Sequence, residues 1–131
     1  ISAKFSDGTN ELLNFLISKS MNGNWIYRNN EITNKDDIFI TNECTRNAIL
    51  NYLHKEIPYN VKIKNINFKI LKNQHTKIKQ KIIINNKRYK SIILGKNGST
   101  IKRIREKSQK EIQKILNCKT HLYIEISLND K

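Results

Sequence analysis

The 131-residue chain is short of cysteine, proline, glycine and acid, and each shortage closes off a class of protein. Its two cysteines, Cys44 and Cys118, stand far apart with no Cys-x-x-Cys or Cys/His spacing. That argues against a disulfide scaffold or a zinc site and leaves two free thiols in a reducing compartment as the expectation. His54, His75 and His121 are equally scattered and form no ligand set. No run approaches the roughly 20 apolar residues of a membrane span. Hydrophobic residues make up 37%, below the usual roughly 45–50%, but they are concentrated in isoleucine, which favours packed strands and helices, so a modest core is expected. The length allows one domain with an attached segment. The chain opens at Ile1 and has its only methionine at Met21, so it reads as a fragment or processed product, and lack of a targeting segment says nothing of where the parent protein works.

The scarcity of acid is not uniform. There are 11 acidic residues against 25 Lys+Arg, for a net charge of +14. Residues 1–60 carry 6 basic and 7 acidic side chains, net −1, whereas residues 61–131 carry 19 and 4, net +15. Lysine and asparagine exceed arginine and glycine, the mark of AT-rich codons, and for that reason the charge count alone names no partner. Codon drift would spread lysine evenly, however. The asymmetry points to a polyanion-facing module in the second half.

Periodicity divides the chain. Ile1–Ser20 reads as a strand end, a turn at Asp7-Gly8 and an amphipathic helix capped by Thr9 or Asn10, with Leu12, Leu13, Phe15, Leu16 and Ile17 as its apolar face. Residues 21–40 are polar and turn-rich, anchored by Trp25, Ile26, Tyr27, Ile32, Ile38 and Phe39, as in a connecting arm that packs by its aromatics. From Thr41 the spacing of Thr45, Ile49, Tyr52, Leu53 and Glu56 predicts a helix capped by Thr41 or Asn42 and ended by Pro58. Alternation predicts strands over 61–70 and from Lys77 to Asn85, joined by Asn73-Gln74-His75. A short helix, Lys87 to Leu94, runs into Gly95-Lys96-Asn97-Gly98. A long basic helix follows from Ser99 to about Asn117, striped by Ile101, Ile104, Ser108, Ile112, Ile115 and Leu116, and the last strand is Thr120 to Leu128. The order from Thr41 is α-β-β-α-α-β.

The chemistry sits in Ile92-Ile93-Leu94-Gly95-Lys96-Asn97-Gly98-Ser99-Thr100-Ile101-Lys102-Arg103-Ile104. Apolar residues on both sides anchor two helices, and the glycines let the backbone between them turn without a Cβ. The loop opens the long helix at Ser99, where unpaired N–H groups and the positive dipole end favour a phosphate. Lys96 adds charge, and Asn97 can hydrogen-bond sugar or phosphate. No Gly-x-x-x-x-Gly-Lys-[Ser/Thr] is present, and no strand feeds these glycines as a dinucleotide fingerprint needs. In this frame the segment resembles the G-x-x-G signature of a KH domain, which clamps about four nucleotides. Two strands before the loop and one after match the prokaryotic, type II arrangement. The fold class expected is therefore α+β: a three-stranded mixed sheet with helices packed on one face. A groove is expected between the flanking helices and the edge of the second strand, bordered by Ile92, Ile93 and Ile101, with Lys90, Lys102, Arg103 and Arg105 facing phosphates. Ile92 and Ile93 fit a core position equally well, and Tyr89 and Tyr123 either stack on bases or pack.

The resemblance extends upstream. Glu56-Ile57-Pro58-Tyr59, the Glu31-Ile32-Thr33 stretch followed by Phe39, and Ile1-Ser2-Ala3-Lys4 with Asn10-Glu11-Leu12-Leu13 together are similar to the C-terminal part of the Era-type GTPases. That resemblance implies three parts: residues 1–20 as the end of a GTPase domain, 21–40 as the arm, and 41–131 as the type II KH domain. It makes Ser2, Ala3 and Lys4 a remnant of the guanine loop, and gives Gly95, Lys96, Asn97 and Gly98 the RNA backbone. The family usually has glycine where this chain has Asn97. The partners implied are single-stranded RNA at the 3′ end of small-subunit rRNA and the small ribosomal subunit, with GTP and magnesium serving the full-length parent and no cofactor in this chain. The chain itself carries no phosphate-binding loop or carboxylate pair for catalysis. A monomer is expected, in the cytoplasm or in an organelle of bacterial ancestry. Two alternatives stand beside this reading: a KH module of another ribosomal or transcription-associated protein, and a basic protein- or membrane-interaction module using Lys102, Arg103, Lys110 and Lys114.

Overall fold

A computed structural model describes residues 1–24, 33–54 and 56–129. The arm anchors Trp25, Ile26, Tyr27, Glu31 and Ile32 lie outside the described residues. The chain divides into two compact units, Ile1–Asn34 and Lys35–Lys131.

In the first unit Ser2 and Asp7 form an isolated antiparallel bridge, with the Ser2 N–H donating to the Asp7 carbonyl at 2.9 Å. Helix α1 (Thr9–Lys19) follows. Its N-cap is Gly8 in the left-handed region (φ 68°), without a side-chain cap; the Thr9 hydroxyl instead donates back to the Ser6 carbonyl. Neither Thr9 nor Asn10 therefore caps it. The stripe Leu12, Leu13, Phe15, Leu16 and Ile17 is exposed.

The second unit begins with helix α2 (Asp37–Tyr52). Its cap is Asp36, whose carboxylate accepts from the Phe39 N–H at 2.7 Å, so the helix starts inside the stretch expected to be arm. Thr41 is buried within the helix rather than capping it. The helix stops at Tyr52, ahead of Pro58, which sits in a 3-10 turn over Ile57–Asn60. Strands β1 (Val61–Ile70) and β2 (Thr76–Ile84), helices α3 (Lys87–Leu94) and α4 (Ser99–Leu116), and strand β3 (Thr120–Leu128) complete the unit.

The sheet order is β1-β2-β3, with β1 antiparallel and β3 parallel to β2. The α3–α4 pair makes the crossover that a parallel neighbour requires. Register places Val61, Ile63 and Asn65 opposite Ile84, Ile82 and Gln80, then slips by one residue, so that Asn67 faces Lys79 and Phe68 faces Ile78. Strict alternation had put Asn67 with Ile63 and Phe68 with Lys64. The bulge at Ile66 reverses both and returns Phe68 to the core side, because an extra residue shifts every later side chain to the opposite face.

Helices cover only the inner face. Ile78, Ile82, Ile84, Ile49, Ile104, Ile112 and Ile93 are fully buried there, each fully buried isoleucine contributing about 1.5–3 kcal/mol. Gln80 interrupts the isoleucine row of β2 and is also fully buried. The Thr45 hydroxyl donates to its Oε1 at 2.6 Å and its Nε2 donates to Asn42 Oδ1 at 3.0 Å, which fixes α2 to the central strand.

Candidate nucleic-acid interface

The glycine loop is a left-handed turn between two helices. Gly95 ends α3 at φ 71°, ψ 178°, and its N–H donates to the Ser91 carbonyl at 2.9 Å. Asn97 (φ 52°) and Gly98 (φ 74°) are both left-handed. A Cβ on Gly95 would overlap the Thr100 hydroxyl and lie 2.9 Å from the Thr100 nitrogen, so only glycine fits there. A Cβ on Gly98 would meet nothing nearer than Ile101 Cγ2 at 4.0 Å; the glycine is needed for conformation and for leaving the outer surface clear. Asparagine tolerates the left-handed region better than other side chains, which is why Asn97 stands in this turn without disturbing it.

Gly98 is the N-cap of α4, with no side-chain cap and no acidic residue in the first turn. The positive end of an 18-residue helix therefore opens beneath the loop unneutralised. Lys96 and Asn97 are exposed beside it.

Below the loop, α4 presents the row Ile101, Arg105, Gln109 and Gln113 at helical spacing. Gln109 Oε1 accepts from the Leu122 N–H at 3.1 Å, and Gln113 Nε2 donates to the Thr120 carbonyl at 3.3 Å. The row thus runs antiparallel to β3, from the loop toward the start of the strand. Arg105, Gln109, His121, Leu122, Tyr123 and Ile124 line a cleft of about 410 Å³ between α4 and this edge strand. Tyr123 is half-exposed with Lys77 Nζ 5.4 Å from its ring centroid, and the His121 ring lies tilted by 46° against His75, with centroids 5.5 Å apart.

The site differs in three ways from the sequence expectation. The groove does not lie at the edge of the second strand, because β2 is central and paired on both sides; the sheet edge that α4 borders is that of β3. Ile93 is fully enclosed in the core and presents no surface to a base, while Ile92, one position along the helix, is 48% exposed. Arg103 points away from the cleft, with its guanidinium 5.2 Å from the Tyr52 ring centroid in a separate groove of α4 with Lys107, Lys110 and Lys114. Arg105 lines the cleft itself, Ile101 is half-buried at its upper end, and Lys90 and Lys102 are exposed on α3 and α4. Tyr89 is half-buried against the core. Gln109 and His121 were not foreseen, since strand order decides which helix face meets β3. In the first unit Ser2 is half-buried and Ala3 and Lys4 are exposed in the turn before Gly8.

Among the described residues, two groups have displaced acidities. Burial pushes the Cys44 thiol up, assisted by the Glu111 carboxylate. Hydrogen bonds from Lys79 and Lys81 hold Glu125 below the ordinary carboxylate value. Among the described residues no group of three His, Cys, Asp or Glu side chains could hold a metal ion, and no helix is long and apolar enough to cross a membrane.

Comparison with known proteins adds to this geometry. The family model for the KH domain matches residues 48–130. The chain is 34% identical over 130 residues to GTPase Era of Rickettsia canadensis (strain McKiel), covering 99% of this chain and 44% of that protein. It is 33% identical over 131 residues to GTPase Era of Maricaulis maris (strain MCS10), covering 100% and 42%. The chain thus spans less than half the length of these relatives. Two crystal structures share the fold at 22% identity, each covering 92% of this chain and 41% of the other. One is an Aquifex aeolicus Era variant bound to GDP and AlF4−, with a TM-score of 0.83. The other is Era in complex with MgGDPNP and nucleotides 1506–1542 of 16S ribosomal RNA, with a TM-score of 0.84.

Proposed function

Because this chain belongs to the KH domain family, we propose that it binds single-stranded RNA along the cleft below its glycine loop. The observation that carries this reading is the junction of Gly98 with α4: an uncapped, acid-free helix N-terminus under a glycine turn whose outer side is clear. Backbone phosphates pass over Gly95–Gly98 beside Lys96. Bases lie against Ile92 and Ile101, with Arg105, Gln109 and Tyr123 along the cleft offering charge, an amide and a stacking face. Lys90, Lys102 and Ser99 border the backbone path.

Similarity to GTPase Era over nearly the whole chain supports a further step. The natural RNA is the 3′ region of small-subunit rRNA, and the full-length protein uses GTP and magnesium to gate this contact during small-subunit assembly, as a monomer. Residues 1–20, with Ser2-Ala3-Lys4, end the GTPase domain, the stretch from 21 up to the Asp36 cap links it, and the residues from α2 onward carry the RNA.

The test is the double variant Lys96→Asp/Asn97→Asp. Aspartate accepts the left-handed backbone of position 97, so the fold persists while two negative charges face the phosphates. Fluorescence anisotropy with a single-stranded oligomer from the 3′ end of small-subunit rRNA should show binding lost. Wild-type affinity should fall with salt at a slope of about −0.7 per phosphate contact. Undiminished binding by the variant would refute the backbone clamp.

A further inference from the structure

Helix α4 carries a second charged face, turned away from the cleft. Arg103, Lys107, Lys110 and Lys114 recur at intervals of four, three and four residues. That spacing sets all four within about 60° of one another around the helix axis and along about 16 Å of its length. Arg105 and Gln109, which line the cleft, stand on the opposite side of the helix. With Tyr52 at the end of α2, the four cations line a groove of about 390 Å³. Two carboxylates, Glu106 and Glu111, share it. Spacing puts Glu106 within helical reach of Lys110, and Glu111 within reach of Lys114, yet neither pair closes. Asn47 Nδ2 donates to the two Glu111 oxygens at 3.4 and 3.3 Å, and Glu106 meets Arg105 at 3.6 Å. Among the described residues, the four cations of this face therefore make no ion pair.

Two of them are nevertheless held in place. The Arg103 guanidinium lies 5.2 Å and the Lys107 ammonium 5.8 Å from the centroid of the Tyr52 ring. A cation already resting on a ring has less rotamer freedom left to lose when a ligand arrives. The groove asks for a ligand with negative charge at the spacing of the cations and with donors for Glu106 and Glu111. A phosphodiester chain has the charge but no cation of its own, so both glutamates repel it, and the Tyr52 ring, occupied by two cations, gives it no stacking face. A helix of another protein meets both demands. Acids at i, i+4, i+7 and i+11 form one stripe along the cations, and a lysine or arginine between them answers the glutamates, in the manner of charge pairing between the helices of a coiled coil. We infer that this groove is a docking surface for an acidic helix of a protein partner, separate from the RNA cleft.

The probe is a fluorescein-labelled, alanine-rich peptide of about 20 residues, long enough to be helical alone, with glutamates at i, i+4, i+7 and i+11 and lysines between them. Its control has the same composition with the glutamates spread around the helix. Anisotropy at low salt on the 131-residue chain should show the patterned peptide binding at least fivefold tighter than the control. Lys110→Gln/Lys114→Gln should weaken the patterned peptide about fivefold and leave the single-stranded RNA oligomer within twofold of wild type. The oligomer at saturation should leave the peptide bound. Equal binding of the two peptides, or undiminished peptide binding by the variant, overturns the inference. Displacement of the peptide by the oligomer overturns it as well, as does a variant that loses the oligomer as steeply as the peptide, which would make the groove part of the RNA path. If the oligomer binds neither protein while the patterned peptide behaves as expected, the cleft reading falls and the docking surface stands.

Discussion

Gly95 and Gly98 frame one loop, and the structure gives them different tasks that alanine separates. At Gly95, φ 71° with ψ 178° falls in a region essentially reserved for glycine, where another residue costs about 1–3 kcal/mol. The new Cβ would also overlap the Thr100 hydroxyl and approach the Thr100 Cβ to 2.8 Å and its nitrogen to 2.9 Å. The nitrogen belongs to the first turn of α4 and cannot rotate away; overpacking of this kind costs a further ~1–3 kcal/mol. Gly95→Ala should therefore destabilise the chain by about 2–6 kcal/mol. At Gly98 the conformation is ordinary left-handed helix, costing about 1–2 kcal/mol, partly offset by about 0.4–1 kcal/mol from a stiffer unfolded chain. No clash adds to it.

Urea denaturation followed by circular dichroism reads the contrast. At a slope of about 2 kcal/mol per molar urea, Gly95→Ala should lower the midpoint by about 1–3 M and Gly98→Ala by about 0.8 M or less. Gly98→Ala should nevertheless weaken single-stranded RNA binding at least tenfold, because its methyl group occupies the space where the phosphate backbone passes. Thr100→Ala should rescue Gly95→Ala only in part, since it removes the hydroxyl and leaves the nitrogen in place. Equal stabilities for the two glycine variants, or full RNA affinity in Gly98→Ala, would refute the assignment of one glycine to packing and the other to ligand approach.

The isoleucine pair on α3 makes a second contrast. Ile93→Ala, in the core, should cost about 2–5 kcal/mol, whereas Ile92→Ala should change stability by about 0.5 kcal/mol or less yet lower RNA affinity several-fold, as melting and anisotropy would show. Glu125 gives a pH signature. Its carboxyl should titrate by NMR below the ordinary 4.5 and return toward it in Lys79→Gln/Lys81→Gln. Because the folded value is the lowered one, the pair's small contribution is present above the unfolded value and is lost as pH falls through the folded value, and salt should weaken it.

Much of the fold is legible along the chain because it is written locally. The alternation of lysine with isoleucine marks β2, the isoleucine stripe marks α4, and Asn86, whose side chain accepts from the Arg88 N–H at 3.0 Å, opens α3 where the spacing places it. The start of α2 is less legible, because Asp36 stands in a polar run, Thr33 to Asp37, that offers several capping residues, and a cap is recognised only by the N–H it reaches. The bulge at Ile66 was not legible at all: Lys64-Asn65-Ile66-Asn67-Phe68 alternates acceptably either way, and only pairing against β2 decides. The same limit governs the candidate site. Glycine spacing marks the loop, but the wall opposite α4 depends on strand order, which no local period encodes; hence the sequence does not point to Gln109 and His121, nor does it separate Arg103, beside Tyr52 in another groove of α4, from Arg105 in the cleft.

Strand order also explains why this edge can serve as a site. A parallel edge strand exposes a row of unpaired N–H and C=O groups and invites pairing with another chain. Here α4 lies along that edge and spends two neutral amides on it, Gln109 on the Leu122 N–H and Gln113 on the Thr120 carbonyl. Lysine at position 109 could not accept from the Leu122 N–H, since it only donates, and at either position it would have placed charge along this edge. Glutamine closes the edge against strand addition and keeps the cleft floor polar but neutral, while Arg105 supplies charge one turn nearer the loop. The surplus of +15 in residues 61–131 is thereby kept out of the cleft's lower end and displayed at the loop, on the outer side of α4 and across the back of the sheet. In the proposed reading, charge at the loop meets phosphates and the neutral floor at Gln109 meets bases.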